Sequence, residues 1–261
     1  FITRDAWHDE MFFRHTLAQT LAAGQQMWWY SLAPCWLKEE YRQNIVADLY
    51  RVGLEALERD RSPVAEVAVV IDERSVQTLR LNAPFQFHLI LESLAGCFPT
   101  GAPIECHELH SFLDHADHSR FKVIVFPNLF LVDEEIQSKM ERLKSGNRTL
   151  IFSFAPGFLT GSAKDRSFST ESAGRLVGMD LMEEERDMPL SIWMDPERVH
   201  LAGGVDIRYG WLCPELPAKP ILCITDPHAE ALGFLHSGAA GFGVRRYRDW
   251  TSIFSAAPCI P

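Results

Sequence analysis

The sequence predicts a doubly wound, mostly parallel α/β sheet with an antiparallel C-terminal extension, preceded by a helix–strand–helix segment. Three observations predict it. Apolar, β-branched runs fall at 66–72, 103–109, 121–127 and 148–154 with helical periodicity between them, and strands that alternate with helices pair in parallel. The first run, "EVAVVID", is continuously apolar, as strands buried on both faces are. After about residue 185 the strand candidates become short and closely spaced, with Gly and Pro between them, which reads as antiparallel.

Taken in order, residues 5–23 fit a helix. Trp7, Met11, Ala18 and Ala22 recur at helical spacing, Leu17 and Leu21 broaden the stripe, and Gly24 stops it. "QMWWYSL" (26–32) is an aromatic run that reads as a buried strand. A second helix is predicted over 38–59, with Ile45, Leu49, Val52 and Ala56 on one face. The charged "RDRSP", ending in Pro63, marks a boundary between 1–60 and 61–261. The first piece offers one strand, and a strand needs neighbours to close a core.

Beyond the strand at 66–72, a helical region interrupted at Pro84 places Phe87, Ile90, Leu91 and Leu94 on one face, as far as Gly96. "PIECHEL" (103–109) and "FKVIVFP" (121–127) are strands. Asp133 then caps a helix with Glu134 and Glu135 in its first turn, Ile136, Met140 and Leu143 on its apolar face, and Gly146 as its stop. "RTLIFSF" (148–154) is the fourth strand. The polar "SAKDRSFSTESAG" (162–174) reads as a mobile loop, and Glu183, Glu184 and Glu185 as the solvated end of a helix. "LSIWM", "VHLAGGVDIRYG", "KPILCITD", "AAGFGVRRY" and "WTSIFSA" are the strands of the antiparallel extension.

The chain has 261 residues, 47% hydrophobic and 23% charged, an ordinary globular composition. A net charge of −10, with no basic run longer than "RRYR" (245–248), argues against nucleic acid and anionic membranes as partners. No apolar stretch approaches the roughly 18 residues of a membrane helix. The six Cys are scattered without a CxxC pair. Cys97, Cys106 and Cys223 sit in apolar runs and read as buried free thiols, which points to a reducing, cytoplasmic compartment. "FITRDAWHDEMFFRH" lacks the basic flank and apolar core of a signal peptide and enters a helix directly, so the sequence is expected to start inside a longer protein.

Candidate chemistry is sparse. In α/β hydrolases and amidotransferases the nucleophile sits on the turn after a strand. Here that turn reads Phe154, Ala155, Pro156, Gly157, without Cys, and Ser153 lacks the flanking glycines of G-x-S-x-G. "CHELHSFLDHADH" (106–118) holds one Cys and four His. Cys106 and His107 point to opposite strand faces, as do His107 and His110, so no metal site is expected. No G-x-G-x-x-G follows the first strand, so no dinucleotide cofactor is expected. Asp72 and Glu73 end that strand, where α/β sheets bind ligands, and equally fit a helix cap. Trp28 and Trp29 are the most suggestive residues: they face opposite ways on a strand, so one could line a cavity and stack on the apolar face of a sugar.

Taken together, "TLAQTLAAGQQMWWYSLAPCWL", "ERDRSPVAEVAVVIDERS", "FKVIVFPNLFLVDEEIQSKMERLKSGNRTLIFSFAPG" and "DPHAEALGFLHSGAAGFGVRRYRDWTSIFSAAP" resemble the C-terminal part of β-galactosidase-like glycoside hydrolases. The resemblance implies that 1–60 is the end of a (β/α)8 barrel, with "MWWYSL" as its eighth strand. It implies that 61–261 is a domain like a class I glutamine amidotransferase or flavodoxin, which makes trimers and has given up catalysis. The family's two catalytic Glu, at the ends of barrel strands four and seven, would precede Phe1. Glu10 lies within a helix pattern and does not replace them; Arg4 and Asp5 would lie near the barrel mouth, and Trp28 or Trp29 would match an aromatic lining the sugar site. No catalytic residue, metal or cofactor carries over, and the partners implied are other copies of the chain and, in the intact protein, a carbohydrate substrate. Two alternatives stand beside this one: a stand-alone binding or regulatory module with a pocket near Asp72, Asn128 and Ala155, and a diverged amidotransferase or hydrolase using Ser153 or a Cys.

Overall fold

A computed structural model describes residues 5–22, 24–25, 27, 37–60, 62, 64–79, 87–97, 100–161, 165–195 and 218–258. It divides into two compact units, Phe1–Val64 and Ala65–Pro261.

In the first unit, α1 (Ala6–Ala22) packs against α2 (Glu40–Leu57). Phe13, Leu17 and Leu49 are buried there, with Leu21, Met27 and Ile45 against them. The predicted face of α1 is displaced: Trp7 is 63% and Met11 41% exposed, and the covered stripe is Asp9, Phe13 and Leu17. Counting apolar residues missed Asp9, which turns inward because Tyr41 Oη (2.7 Å) and Arg42 Nε (2.8 Å) donate to its Oδ2. Val52, expected on the inner face of α2, is also exposed. Apart from Met27, the strand expected at 26–32, with Trp28 and Trp29, lies outside the described residues, as does Arg4.

The second unit is built on one mixed sheet. Its strands are β1 (Val67–Ile71), β2 (Ile104–Glu108), β3 (Val123–Phe126), β4 (Arg148–Ser153), β7 (Leu181–Glu183), β8 (Ile192–Met194), β9 (Leu222–Ile224), β10 (Glu230–Leu235), β11 (Ala240–Arg246) and β12 (Trp250–Ser255). A separate hairpin pairs β5 (Leu159–Thr160) with β6 (Ser167–Phe168). The main path runs β2-β1-β3-β4-β12-β11-β10-β8, with β9 and β7 branching from β11. The β1–β2, β1–β3 and β3–β4 pairs are parallel, as the alternation of strand and helix requires. The antiparallel extension is present in β8–β10–β11–β12, while its expected strand at 199–210 lies outside the described residues; one correction applies, since β12 lies parallel to β4 and the final strand is an interior member of the sheet.

Side chains alternate across this sheet into two clusters. Ala68, Val70, Ile124, Phe126, Leu150 and Phe152 face the larger core, where the Phe126 and Phe152 rings stack 5.4 Å apart. Val69 and Val125 face the other side, against Cys97. β1 and β3 are thus buried on both faces, as their apolar continuity predicts, while the edge strand β2 is not.

The helices follow the sequence unevenly. Asp133 Oδ1 accepts from Ile136 N at 2.8 Å and opens α6 (Glu134–Glu141), whose Ile136 and Met140, with the following Leu143, are buried as expected. Short helices α3 (Glu73–Val76) and α5 (Leu109–His115) follow β1 and β2. Before α4 (Ser93–Cys97) the chain forms a π-helical turn, Phe87–Glu92. Its i→i+5 geometry shifts the phase, so Leu89, Ser93 and Cys97 are buried while Leu91 is 52% exposed. The expected mobile loop at 162–174 instead contains β6 and the start of α7 (Thr170–Val177), capped by the Ser169 hydroxyl, which accepts from Ser172 N at 3.0 Å. Gly178 ends α7 at φ +78°, where an added Cβ would come within 2.8 Å of the Trp250 ring. The acidic run is no helix end either: Glu183 closes strand β7, and Glu184 is 8% exposed and bound by Arg186.

Candidate functional site

The turn after β4 is where this fold would hold a nucleophile. Phe154 occupies it with φ +67°, a left-handed backbone rare outside glycine. Its N–H donates to Ser255 O at 2.7 Å, and its ring, 4% exposed, meets Phe130 edge to face at 5.5 Å. The sharp turn is therefore present with a phenyl ring buried at its apex. Ser153, beside it, is completely buried, and its Oγ has no hydrogen-bond partner among the described residues, so no imidazole or carboxylate there can take its proton.

Among the described residues the thiols offer no substitute. Cys97 and Cys223 are buried as expected, whereas Cys106 is exposed, because β2 is the edge strand of the sheet; desolvation still pushes all three above the ordinary thiol value, away from the thiolate a nucleophile needs. The histidines of 106–118 are dispersed: His107 Nε2 lies 3.0 Å from Glu105 Oε2, His118 Nε2 lies 2.7 Å from Phe112 O, and His110 belongs to α5. Among the described residues no three His, Cys, Asp or Glu converge to hold a metal. Glu10 pairs with Arg14 one turn along α1 at 2.8 Å.

The crevice at the carboxyl ends of β1 and β3 is closed by polar groups satisfying one another. Asp72 N donates to Asn128 Oδ1 (3.1 Å) and Asn128 Nδ2 to Asp72 O (2.9 Å). Ser75 Oγ donates to Asp72 Oδ2 (2.5 Å) and accepts from Phe130 N and Leu131 N, each at 2.9 Å. Asp72 also caps α3 through Arg74 N, the structural role its sequence position allowed. Asp72, Asn128 and Ala155 are 1%, 0% and 2% exposed, so the residues expected to line a pocket are instead a floor.

Above that floor lies an open cleft of about 830 Å³. Loops after β1 (Arg74, Gln77) and β3 (Leu131 to Glu134) form one wall, and the β5–β6 hairpin and the start of α7 form the other. Arg74 Nη1 donates to Asp133 Oδ2 at 3.2 Å, and Arg175 to Glu134 Oε1 at 2.9 Å. Burial pushes the Asp133 carboxyl up, but the Ile136 N–H and Arg74 outweigh it and hold it below its ordinary value. Sequence reasoning missed this cleft because its walls come from separate loops. The one local signal was the Ser169 cap ahead of Glu171.

The described helices include none long and apolar enough to cross a membrane. No family model and no curated protein matches the sequence. Several solved structures share its fold. A β-galactosidase from Rahnella sp. R3 aligns with TM-score 0.63 and 15% identity over 98% of this chain and 39% of its own. The β-galactosidase from Bacillus circulans sp. alkalophilus aligns at 0.58 and 16% over 82% of this chain and 32% of its own. The exo-β-1,4-mannosidase Op5Man5 from Opitutaceae bacterium strain TAV5 aligns at 0.63 and 12% over 99% of this chain and 46% of its own. The chain thus spans less than half the length of each of these three structures, and at these identities the likeness is one of fold.

Proposed function

We propose that this chain is the C-terminal part of a β-galactosidase-like glycoside hydrolase. In this reading 1–60 is the end of a (β/α)8 barrel, and 61–261 is an amidotransferase-like domain that assembles subunits, as a trimer in the intact protein, instead of catalysing. The observation that carries the proposal is the extent of the shared fold: a solved β-galactosidase is matched over 98% of the chain, through both units, not over the α/β unit alone. The buried ring of Phe154 and the unpartnered Ser153 hydroxyl support a domain without acyl-transfer chemistry. Hydrolysis of an O-glycosyl bond belongs, in this reading, to carboxylates on the remainder of the barrel, with Trp28 or Trp29 lining the sugar site. Exposed Phe168 (74%), Met182 (54%) and Trp193 (41%) are the apolar anchors available for self-association.

The reading frame upstream of Phe1 tests this. An in-frame barrel of roughly 300 residues with Glu at two strand ends is expected. A stop codon followed at once by a start codon for Phe1 would overturn it. Light scattering on the full in-frame product tests assembly, and a strict monomer would remove that role.

A further inference from the structure

We infer that the cleft over the carboxyl ends of β1 and β3 binds the oxyanion group, phosphate or carboxylate, of a small polar molecule, with Arg166 and Arg74 as its main contacts. This goes beyond the assembly role and does not depend on it.

The topology comes first. From β1 the chain moves to β2 on one side and then to β3 on the other, in the order β2-β1-β3-β4. Loops leaving β1 and β3 therefore diverge, and open α/β sheets take their ligands in the crevice such a reversal leaves. The cleft stands there, with Arg74 and Gln77 from the first loop and Leu131 to Glu134 from the second.

The donors come next. Of the cleft's arginines, Arg175 is engaged by Glu134 and Arg74 Nη1 by Asp133. The Nε and Nη2 groups of Arg74 are shielded from solvent and have no acceptor among the described residues; the Asp72 carboxylate oxygen lies 3.8 Å from Nε, beyond hydrogen-bond length. Buried donors without acceptors are costly, and the Arg74 side chain, 34% exposed and lining the cleft, needs only a turn of its guanidinium to offer them to an oxyanion there. Arg166, exposed beside β6 on the facing wall, makes no ion pair among the described residues. Both α6 and α7 begin at the cleft, adding the partial positive charge of two helix starts.

The acids set the limit. Asp133 and Glu134 are each matched by an arginine, and Glu171 stands on the wall without one among the described residues. Three carboxylates on the rim disfavour a polyanion, so the ligand is small and carries one oxyanion group, with Gln77 and Thr160 available to its polar body.

The test is a titration of the full chain, followed through the arginine Nε–H signals in proton–nitrogen spectra. Inorganic phosphate and acetate are the two probes, and chloride at matched ionic strength is the control. Saturable shifts at Arg74 and Arg166 with either probe support the site; phosphate alone points to a phosphorylated ligand and acetate alone to a carboxylate. Arg166→Ala should weaken binding by about tenfold or more without changing the melting temperature. Arg74→Lys should do the same with part of the affinity retained, since lysine keeps the charge but loses the fork. No saturable shift with either probe, or unchanged binding in Arg166→Ala, overturns the inference.

Discussion

The unit Ala65–Pro261 buries Phe112, Phe121, Phe126, Phe152 and Phe254 on a sheet covered on both faces, whereas Phe1–Val64 buries Phe13, Leu17 and Leu49 between two helices. The first unit also leaves Trp7, Phe12, Tyr50, Leu54 and Leu57 exposed. In α2 the apolar residues form two stripes. Ile45 and Leu49 meet the α1 partner, while Tyr50, Leu54 and Leu57, spaced i, i+4, i+7, look elsewhere. A helix with two such stripes has the pattern of one packed on two sides. The contrast teaches that helical periodicity reports how much apolar surface an element carries, not how much of it the rest of the chain covers.

The sharpest way to break that contrast is to separate the units. Residues 65–261 alone should melt in one cooperative transition by circular dichroism, while 1–64 alone should show helical signal without a cooperative melt. A cooperative melt of 1–64 would mean that its small core suffices. Next in size, Phe152→Ala should cost about 3–5 kcal/mol in denaturant unfolding of the full chain, since the ring is fully buried and stacked on Phe126. Phe13→Ala should leave that main transition unmoved; equal losses would erase the distinction between the units. Ser75→Ala should then cost about 1–3 kcal/mol, because it strips the hydroxyl acceptor from the Leu131 N–H and the hydroxyl donor from the buried Asp72 carboxylate, while the Phe130 N–H keeps Asn128 O at 3.0 Å. A neutral result would show that the floor of the crevice repacks.

Much of this was legible in the sequence. The strands at β1 to β4 were, because continuous apolar runs between helical stretches leave few alternatives. The start of α6 was, because Asp133 followed by Glu134 and Glu135 is a local signal with a local cause. What failed depended on distant partners. Asp9 turns inward only because Tyr41 and Arg42 wait for it, and the cleft gathers Arg74, Asp133, Arg166 and Arg175 from four separate segments. The left-handed Phe154 carries no signal in residue type at all, since a buried phenylalanine is the last residue expected there. Trp28 and Trp29 lie outside the described residues.

The smallest expected effect is one of titration, at the clasp between β7 and the end of β10. Hydrogen bonds from Arg186, and next from Ser237, pull the Glu184 carboxyl from its ordinary 4.5 down to about 2. A folded value below the unfolded one means that the clasp contributes fully above about 4.5 and is lost as pH falls toward about 2. Carbon-13 titration of the Glu184 carboxyl should show its midpoint rising toward the ordinary value in Arg186→Ala. Identical midpoints in the two proteins would show that Arg186 does not hold the charge.

The place of β12 between β4 and β11 has a temporal meaning. The strands on either side of it all come earlier in the polypeptide. As a nascent chain leaves the ribosome, the four-stranded portion and the hairpins beyond it emerge as two open-edged pieces, and the ribbon that zips them together arrives last. Until Trp250 to Ser255 clear the exit tunnel, both β4 and β11 present bare edges to solvent or to a chaperone, which makes this short closing stretch the step that decides between a finished protein and an aggregate.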